Sequence, residues 1–364
     1  FNAKLFGIMT ERAQHQNLVY SPISLQILLS FIYTISDGKL YDELRHILAE
    51  PSNDRLHVAN AIQKLINSPL FNTAPTTLIM ANKLYYDHRF GPVNDNVRSL
   101  VVNNFASELE QIDFQDPHKA AYIINSWVSD NTNHLIRDII APSTITPNTN
   151  AVILNSLYFK SDWLNKFSIY DTKLAQFHLS RETQVAVEMM STEDIFQYGD
   201  FGDLRAYVLE LPYKTSNLTM MLILPHEIDG LLGVEHKLSH YSWEMLSQQL
   251  RSEVVSVKIP KFKIEFDVDM MRPLQRLGLN ALFNKDGKIN IFKDQQFPIS
   301  VDQVKHKTYI SVNEDGTEAA ASTFGKLIPY SLNHNMKHFV ADQPFLFVIR
   351  STNAIFFIGH VVKF

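Results

Sequence analysis

One stretch near the C-terminus constrains this chain more than any other. Between a strand expected at Thr308–Val312 and another at Phe345–Ile349 run about thirty residues, Asn313–Gln343, with no repeating apolar pattern. Loops of this length are uncommon in compact domains, and those that occur are usually functional or disordered. Its first part, EDGTEAAAST, is small and polar. In extended backbone successive side chains alternate between faces, so Thr317, Ala319, Ala321 and Thr323 would all point one way, and all four are small. A segment built like this can enter between two existing strands without overfilling the core beneath them.

The rest of the chain is long enough to hold such a sheet. Its 364 residues are 45% hydrophobic and 20% charged, which excludes disorder and allows a large core. No Pro/Gly/Ser-rich linker, composition shift or repeat divides it, so residues 1–364 are expected to form a single domain. A net charge of −5 gives no general attraction for nucleic acid or an anionic membrane, and neither partner is expected. The longest apolar stretches, Leu218–Leu224 and Phe345–Ile349, fall far short of the roughly 20 residues that span a bilayer. There is no cysteine, hence no disulfide and no thiolate chemistry. The sequence opens at Phe1 with neither an initiator Met nor a signal-peptide pattern, which suggests a removed leader or a trimmed sequence. Its sequon, Asn217-Leu218-Thr219, offers Asn217 as a glycosylation site in a secreted, extracellular protein.

Periodicity predicts helices at Ala3–Gln14, Pro22–Ile35, His57–Ile66 and Lys119–Asp138, the second apolar nearly all round and therefore buried. Strands are expected at Thr77–Tyr86 and Val152–Phe159. They dominate the last third, at Ala206–Leu211, Leu218–Leu224, Val254–Ile259, Thr308–Val312, Phe345–Ile349 and Ile355–Val362. This is an α+β pattern with large, mostly antiparallel sheets.

Catalytic motifs are absent. The chain has no G-x-S-x-G elbow, no phosphate-binding G-x-x-x-x-G-K-[ST] and no G-x-G-x-x-G. His226-Glu227 begins a zinc-protease pattern that lacks its second histidine, and His236 and His240 have helical spacing but no carboxylate or cysteine partner in the pattern. Asn284–Gly287 resembles half of a calcium loop, yet Leu282 and Lys293 stand at the first and last ligand positions, so a solvated turn is the better reading. No enzyme activity, metal or cofactor is expected. No basic cluster suited to a sulfated polysaccharide appears on the helix at His57–Ile66.

Five segments in order resemble the serpin family: NLVYSPIS (Asn17–Ser24), NSLYFKSDW (Asn155–Trp163), LELPYKTSNLTMMLILP (Leu209–Pro225), SVNEDGTEAAAST (Ser311–Thr323) and FVADQPFLFVIR (Phe339–Arg350). The resemblance covers nearly the whole chain. It implies a single serpin domain with about three β-sheets, some eight to nine helices and an exposed reactive-centre loop at about residues 314–338. It marks Glu314, Asp315, Gly316, Thr317, Glu318, Ala319, Ala320, Ala321, Ser322 and Thr323 as the hinge. It also implies that Ser21, Ser24, Asn155 and His306 form a polar cluster guarding the opening of the central sheet, and that Trp163 packs at the sheet's top. Three departures stand out: Ser161 where Gly is usual, Gln343 where His is frequent, and YTISDGKL (Tyr33–Leu40) where the family has a Gly-Ala-x-Gly-x-Thr pattern.

The family's spacing of sixteen residues from the first hinge glutamate, counted from Glu314, puts the scissile bond at Tyr330–Ser331. Pro329 fixes its own φ and biases Ile328 toward the extended geometry a protease cleft binds. Tyr330 suits the apolar slot of a chymotrypsin-like enzyme. Lys326-Leu327 is the trypsin-like rival, but it shortens the insertable strand by four residues, about 13 Å. The resemblance thus implies a monomeric, metastable inhibitor that a serine protease cleaves and that then traps it by inserting the loop. The alternative is a non-inhibitory relative with a carrier, chaperone or storage role. Relatives of that kind carry bulky, charged or proline residues in the hinge, whereas Thr317 to Thr323 has only Glu318, which faces outward.

Overall fold

The computed structural model describes residues 1–50, 53–72, 76–214, 217–241, 243–293, 298–317 and 336–364. Its centre is a six-stranded sheet in the order Phe262–Asp269, Gln303–Val312, Gly316–Thr317, Ala151–Asp162, Thr77–Asp87, Ser107–Ile112. The two long middle strands run parallel and pair directly from Gln303 opposite Val152 to Tyr309 opposite Tyr158. Beyond that point the two-residue strand Gly316–Thr317 wedges between them, antiparallel to both. A nine-stranded sheet and a two-stranded pair, Ser36–Asp37 with Lys288–Ile289, complete the three sheets. With the single turn Pro69–Asn72 set aside, the described residues hold nine α-helices.

Both faces of the central sheet are covered, and the covering follows strand alternation. Along Ala151–Asp162, Ile153, Leu157 and Phe159 join the main core, while Val152, Leu154 and Tyr158 face a second core. The second core lies under helix Pro117–Asn131, which buries Ala120, Ala121, Ile124 and Val128. That helix begins where Asp116 accepts the Lys119 N–H and Pro117 takes a first-turn position. On the main-core side, helix Pro22–Ile35 is buried at every residue but Gln26, as its all-round apolar pattern predicts.

The structure corrects several boundaries. The helix expected at Lys119–Asp138 stops at Asn131, because Asn133 and His134 both take left-handed backbone (φ 51° and 61°). The strand expected at Thr308–Val312 begins five residues earlier, at Gln303. The loop expected at about 314–338 loses both ends: Gly316–Thr317 is already a strand, and Lys337–Val340 pairs in parallel with Val255–Lys258. Strands Phe262–Asp269 and Gln184–Phe201 had no counterpart in the sequence reading.

Candidate functional site

The chain reverses sharply after strand Gln303–Val312. Asn313 accepts the Gly316 N–H at its backbone carbonyl (3.3 Å) and receives the Asp315 N–H on its side-chain oxygen (3.1 Å). Gly316 has φ +155°, and a Cβ there would lie 2.0 Å from the Ser161 carbonyl oxygen, so no other residue fits. The turn delivers Thr317 opposite Ser161, where it is fully buried and bonds the Tyr213 hydroxyl at 3.0 Å. Tyr213 in turn stacks on Trp163, with ring centroids 4.7 Å apart. Burial pushes the Tyr213 hydroxyl far above the usual tyrosine range. It therefore stays neutral and serves Thr317 as a hydrogen-bond partner.

Trp163, expected only to pack, also holds the hinge. Its indole N–H donates to the Asn313 carbonyl (3.0 Å) and its backbone N–H to the Asp315 carbonyl (2.9 Å). The acidic pair is anchored as well. Glu314 accepts from Thr172 Oγ1 (2.8 Å) and from the Phe167 backbone N–H, and lies 3.4 Å from Lys261 Nζ. Asp315 takes a 2.8 Å bond from Lys166. Burial works against the Lys166 ammonium, but Asp315 and Asp162 outweigh it and hold its pKa above the usual lysine value. Ser161, the departure from Gly, bonds Thr76 across the sheet at 2.8 Å and leaves the strand intact.

Below the wedge lies a fully buried polar network. His306 and Asn155 are direct partners across the parallel ladder, joined from His306 Nδ1 to Asn155 Oδ1 at 2.6 Å. Asn155 Oδ1 also accepts from Ser24 Oγ (2.9 Å), and its amide donates to the Ser24 carbonyl. The Ser21 N–H donates to His306 Nε2 at 3.0 Å, while the Ser21 hydroxyl oxygen caps helix Pro22–Ile35 at the Ser24 N–H. Because Nε2 accepts, the ring proton sits on Nδ1 and the imidazole is neutral. Burial agrees, lowering the His306 pKa to about 3 against the opposing bond to Asn155. All four residues of the expected cluster meet here, together with one that sequence reasoning missed. Asn82, opposite Asn155 on the next strand, accepts from the Asn155 amide at 2.6 Å.

The family model described as Serpin (serine protease inhibitor) matches residues 1–364. The chain is a serpin. It is 34% identical over 362 residues to "Serine protease inhibitor 42Dd" of Drosophila melanogaster, covering 99% of this chain and 95% of that protein. It is 30% identical to "Antichymotrypsin-2" of Bombyx mori, over 99% and 95% of the two chains. The solved structure of Serpin48 from the insect Tenebrio molitor superimposes with a TM-score of 0.91 at 29% identity, covering 100% of this chain and 96% of that one.

In this serpin Glu318, Ala319, Ala320, Ala321, Ser322, Thr323, Tyr330 and Ser331 lie outside the described residues. Asn217 is exposed just before strand Thr219–Pro225. Gln343 donates to the Pro225 carbonyl at 2.6 Å. Gly38, within the altered YTISDGKL segment, takes φ +58° where the Pro22–Ile35 helix gives way to helix Gly38–Leu48. The half calcium loop is a turn in which Asn284 Oδ1 accepts the Asp286 N–H. His236 and His240 stand 5.7 Å apart, and His240 bonds Ser239 Oγ. Among the described residues one group, Asp87, His88 and Asp113, brings metal-type ligand atoms within 4.8 Å of one another. Arg89 already bonds the Asp87 carboxylate there.

Proposed function

We propose that this serpin inhibits a chymotrypsin-like serine protease as a suicide substrate cut at Tyr330–Ser331. One observation carries the reading: Gly316–Thr317 stands between two strands that are still paired directly below it. The protease serine attacks the Tyr330 carbonyl, the bond to Ser331 breaks, and Ser331 leaves with a free amino group while Tyr330 remains esterified to the enzyme. The released strand then continues the path that Gly316–Thr317 begins. From Thr317 to Tyr330 it spans fourteen residues, about 46 Å.

The sheet offers a reason for this to run downhill. Insertion parts the parallel pairs from Gln303–Val152 to Tyr309–Tyr158 and replaces them with two antiparallel ladders. Antiparallel pairing is slightly more stable per residue, and the strand gains partners on both sides. The His306–Asn155 bond crosses the same ladder, so the buried cluster resists opening until the hinge advances. An intact protein caught short of its best-paired state is metastable.

Tyr330 suits an apolar cleft, which supports a chymotrypsin-like target and accords with the name of the antichymotrypsin relative. The protein acts as a secreted monomer and is consumed instead of turning over. It carries a glycan on the exposed Asn217, checked by a mass shift after peptide N-glycosidase. The main test is incubation with chymotrypsin-like, elastase-like and trypsin-like proteases. An SDS-stable complex with the first and a released fragment starting at Ser331 is expected. A stable complex whose fragment starts at Leu327 contradicts the assignment of the bond, and cleavage without any complex points to a non-inhibitory serpin.

A further inference from the structure

Strands Thr77–Asp87 and Ser107–Ile112 run parallel and finish level, with Asp87 opposite Ile112. Parallel strands that end together set the residues just past their ends side by side, however far apart these are in sequence. Asp87, His88 and Asp113 meet at this exit, with their ligand-type atoms all within 4.8 Å of one another. The backbone there is fixed: the Asp87 N–H donates to the Asn150 carbonyl at 2.9 Å and the His88 N–H to the Ile112 carbonyl at 3.0 Å. The Asp87 side chain is fully buried, whereas those of His88 (50%) and Asp113 (60%) reach solvent.

The spacing of the three is that of ligands around a small ion. His88 Nδ1 lies 3.6 Å from Asp87 Oδ2 and 3.4 Å from Asp113 Oδ1. Both gaps exceed the roughly 2.7–3.2 Å of an N–H···O hydrogen bond. They match a tetrahedron with bonds of about 2.0–2.1 Å, whose corners stand about 3.4 Å apart, which is how zinc takes imidazole and carboxylate ligands. Magnesium's octahedron at the same bond length needs corners about 2.9 Å apart, and calcium takes six to eight oxygens. The carboxylates are also oriented from behind. Arg89 holds Asp87 Oδ1 through its Nε and its backbone N–H (3.0 Å), and donates in turn to the Thr149 carbonyl at 2.9 Å. Asp87 Oδ2 is left turned toward His88 with one long bond from the Phe114 N–H (3.4 Å). The Gln115 N–H donates to Asp113 Oδ1 at 2.9 Å. Hydrogen bonds of this kind orient the carboxylates of metal sites and raise their affinity.

We propose that Asp87, His88 and Asp113 bind a divalent transition-metal ion, zinc, with water in the fourth position. Two carboxylates against the single Arg89 guanidinium leave the site net negative, and the imidazole supplies the nitrogen that selects zinc over calcium or magnesium. The solvent-facing side admits the water, and the exposed Asp113 side chain turns to close the remaining gap to Asp87. Asp113 leads into Asp116, which caps helix Pro117–Asn131, so the ion ties the base of that helix to the end of strand Thr77–Asp87. The site stands at the Ala151 end of strand Ala151–Asp162, whereas the Gly316–Thr317 wedge is at its Asp162 end, and the proposal is independent of the inhibitory reading.

The test is calorimetric titration of the chelator-stripped full chain with zinc chloride. One ion per chain, bound in the micromolar range, is expected. His88→Ala and Asp113→Asn should each weaken binding at least about tenfold, because losing even a supporting group around a metal costs about 10–100-fold. His240→Ala is the control, since His236 and His240 stand 5.7 Å apart and form the competing histidine pair; it should leave the affinity unchanged. No saturable binding by the wild-type protein, or binding that His240→Ala abolishes and His88→Ala does not, overturns the proposal. Cobalt in place of zinc reports the geometry: the strong visible absorption of a tetrahedral site is expected in the wild-type protein, and its persistence in His88→Ala contradicts the assignment. Both substituted side chains are exposed, so the variants should fold, which circular dichroism checks. Zinc should raise the thermal midpoint of the wild-type protein and not that of His88→Ala. An equal rise in both places the stabilising ion elsewhere and overturns the proposal.

Discussion

Replacing Thr317 by arginine probes the hinge where the structure leaves least room. Thr317 is fully buried, bonded to a neutral Tyr213 hydroxyl that is itself stacked on Trp163. An arginine can stay there only by burying an unpaired charge, which costs several kcal/mol, or it must be expelled to solvent. The first inserted pair is thus already formed in the intact protein, and the substitution undoes it before any protease arrives. Insertion must then begin by burying the arginine. A barrier raised by about 3 kcal/mol slows insertion on the order of a hundredfold, at about 1.36 kcal/mol per factor of ten. The bait bond lies thirteen residues further along, so acylation is unchanged. Deacylation then overtakes insertion, and the variant is cleaved at Tyr330–Ser331 as a plain substrate. The assay is the stoichiometry of inhibition with chymotrypsin, together with the ratio of SDS-stable complex to cleaved inhibitor. Glu318→Arg is the matched control, because in an inserted strand alternation would set residue 318 on the face opposite Thr317, and trapping should survive. Wild-type stoichiometry in Thr317→Arg would refute insertion through this slot.

Three further perturbations address the parts around it. Gly316→Ala pushes a Cβ to 2.0 Å from the Ser161 oxygen at a backbone angle that L side chains rarely adopt, so the Gly316–Thr317 pairing should be lost and the fraction cleaved without complex should rise. Asn155→Ala strips partners from His306 Nδ1–H and from Asn82, and should lower stability by about 2–5 kcal/mol in denaturant titration, a loss that Asn155→Asp, which keeps the acceptor, should only partly reproduce. His306 has its pKa lowered in the folded protein, to about 3, so the unfolded chain takes up the proton first as pH falls. The neutral imidazole's contribution is therefore complete above about pH 6.5 and declines from there toward pH 3, by about 1.4 kcal/mol per pH unit. His306→Gln should remove that slope between pH 4.5 and 6.5, and an unchanged slope in denaturant midpoints contradicts the assignment.

Much of this was legible before any coordinates. The alternation of small residues from Thr317 onward predicts one inward face; Thr317, the member of that series among the described residues, is fully buried between two strands. Other features depended on register and could not be read locally. Asn82 sits within TLIMANKLYY, where it and Lys83 are two adjacent polar residues in an otherwise apolar run with no local partner to explain them. Only its place opposite Asn155 reveals it as the network's fifth member. A polar residue at a buried strand position is costly unless paired, and that was the available signal. Strand Phe262–Asp269 alternates cleanly, FKIEFDVD, but Lys263, Glu265 and Asp267 on its exposed face lower its overall hydrophobicity and hide it from a search for apolar runs. Strand Gln184–Phe201 pairs with three different neighbours along eighteen residues, so no single face is buried throughout. The hinge anchors at Trp163, Lys166 and Thr172 lie about 150 residues from the hinge in sequence, and no local pattern records such contacts.

The most direct measurement compares the thermal unfolding midpoint of the intact protein with that of the protein cut once in its bait loop. If Gly316–Thr317 is the start of a strand held short of full insertion, cutting frees the rest to enter between Ala151–Asp162 and Gln303–Val312. The exchange of one parallel ladder for two antiparallel ones then raises the midpoint well beyond the roughly 2–4 °C that a single 1 kcal/mol change gives a domain of about 200 residues. An ordinary nick in an exposed loop leaves stability unchanged or lowers it. Equal midpoints for the two forms, or a lower one after cleavage, would contradict insertion as the source of inhibition.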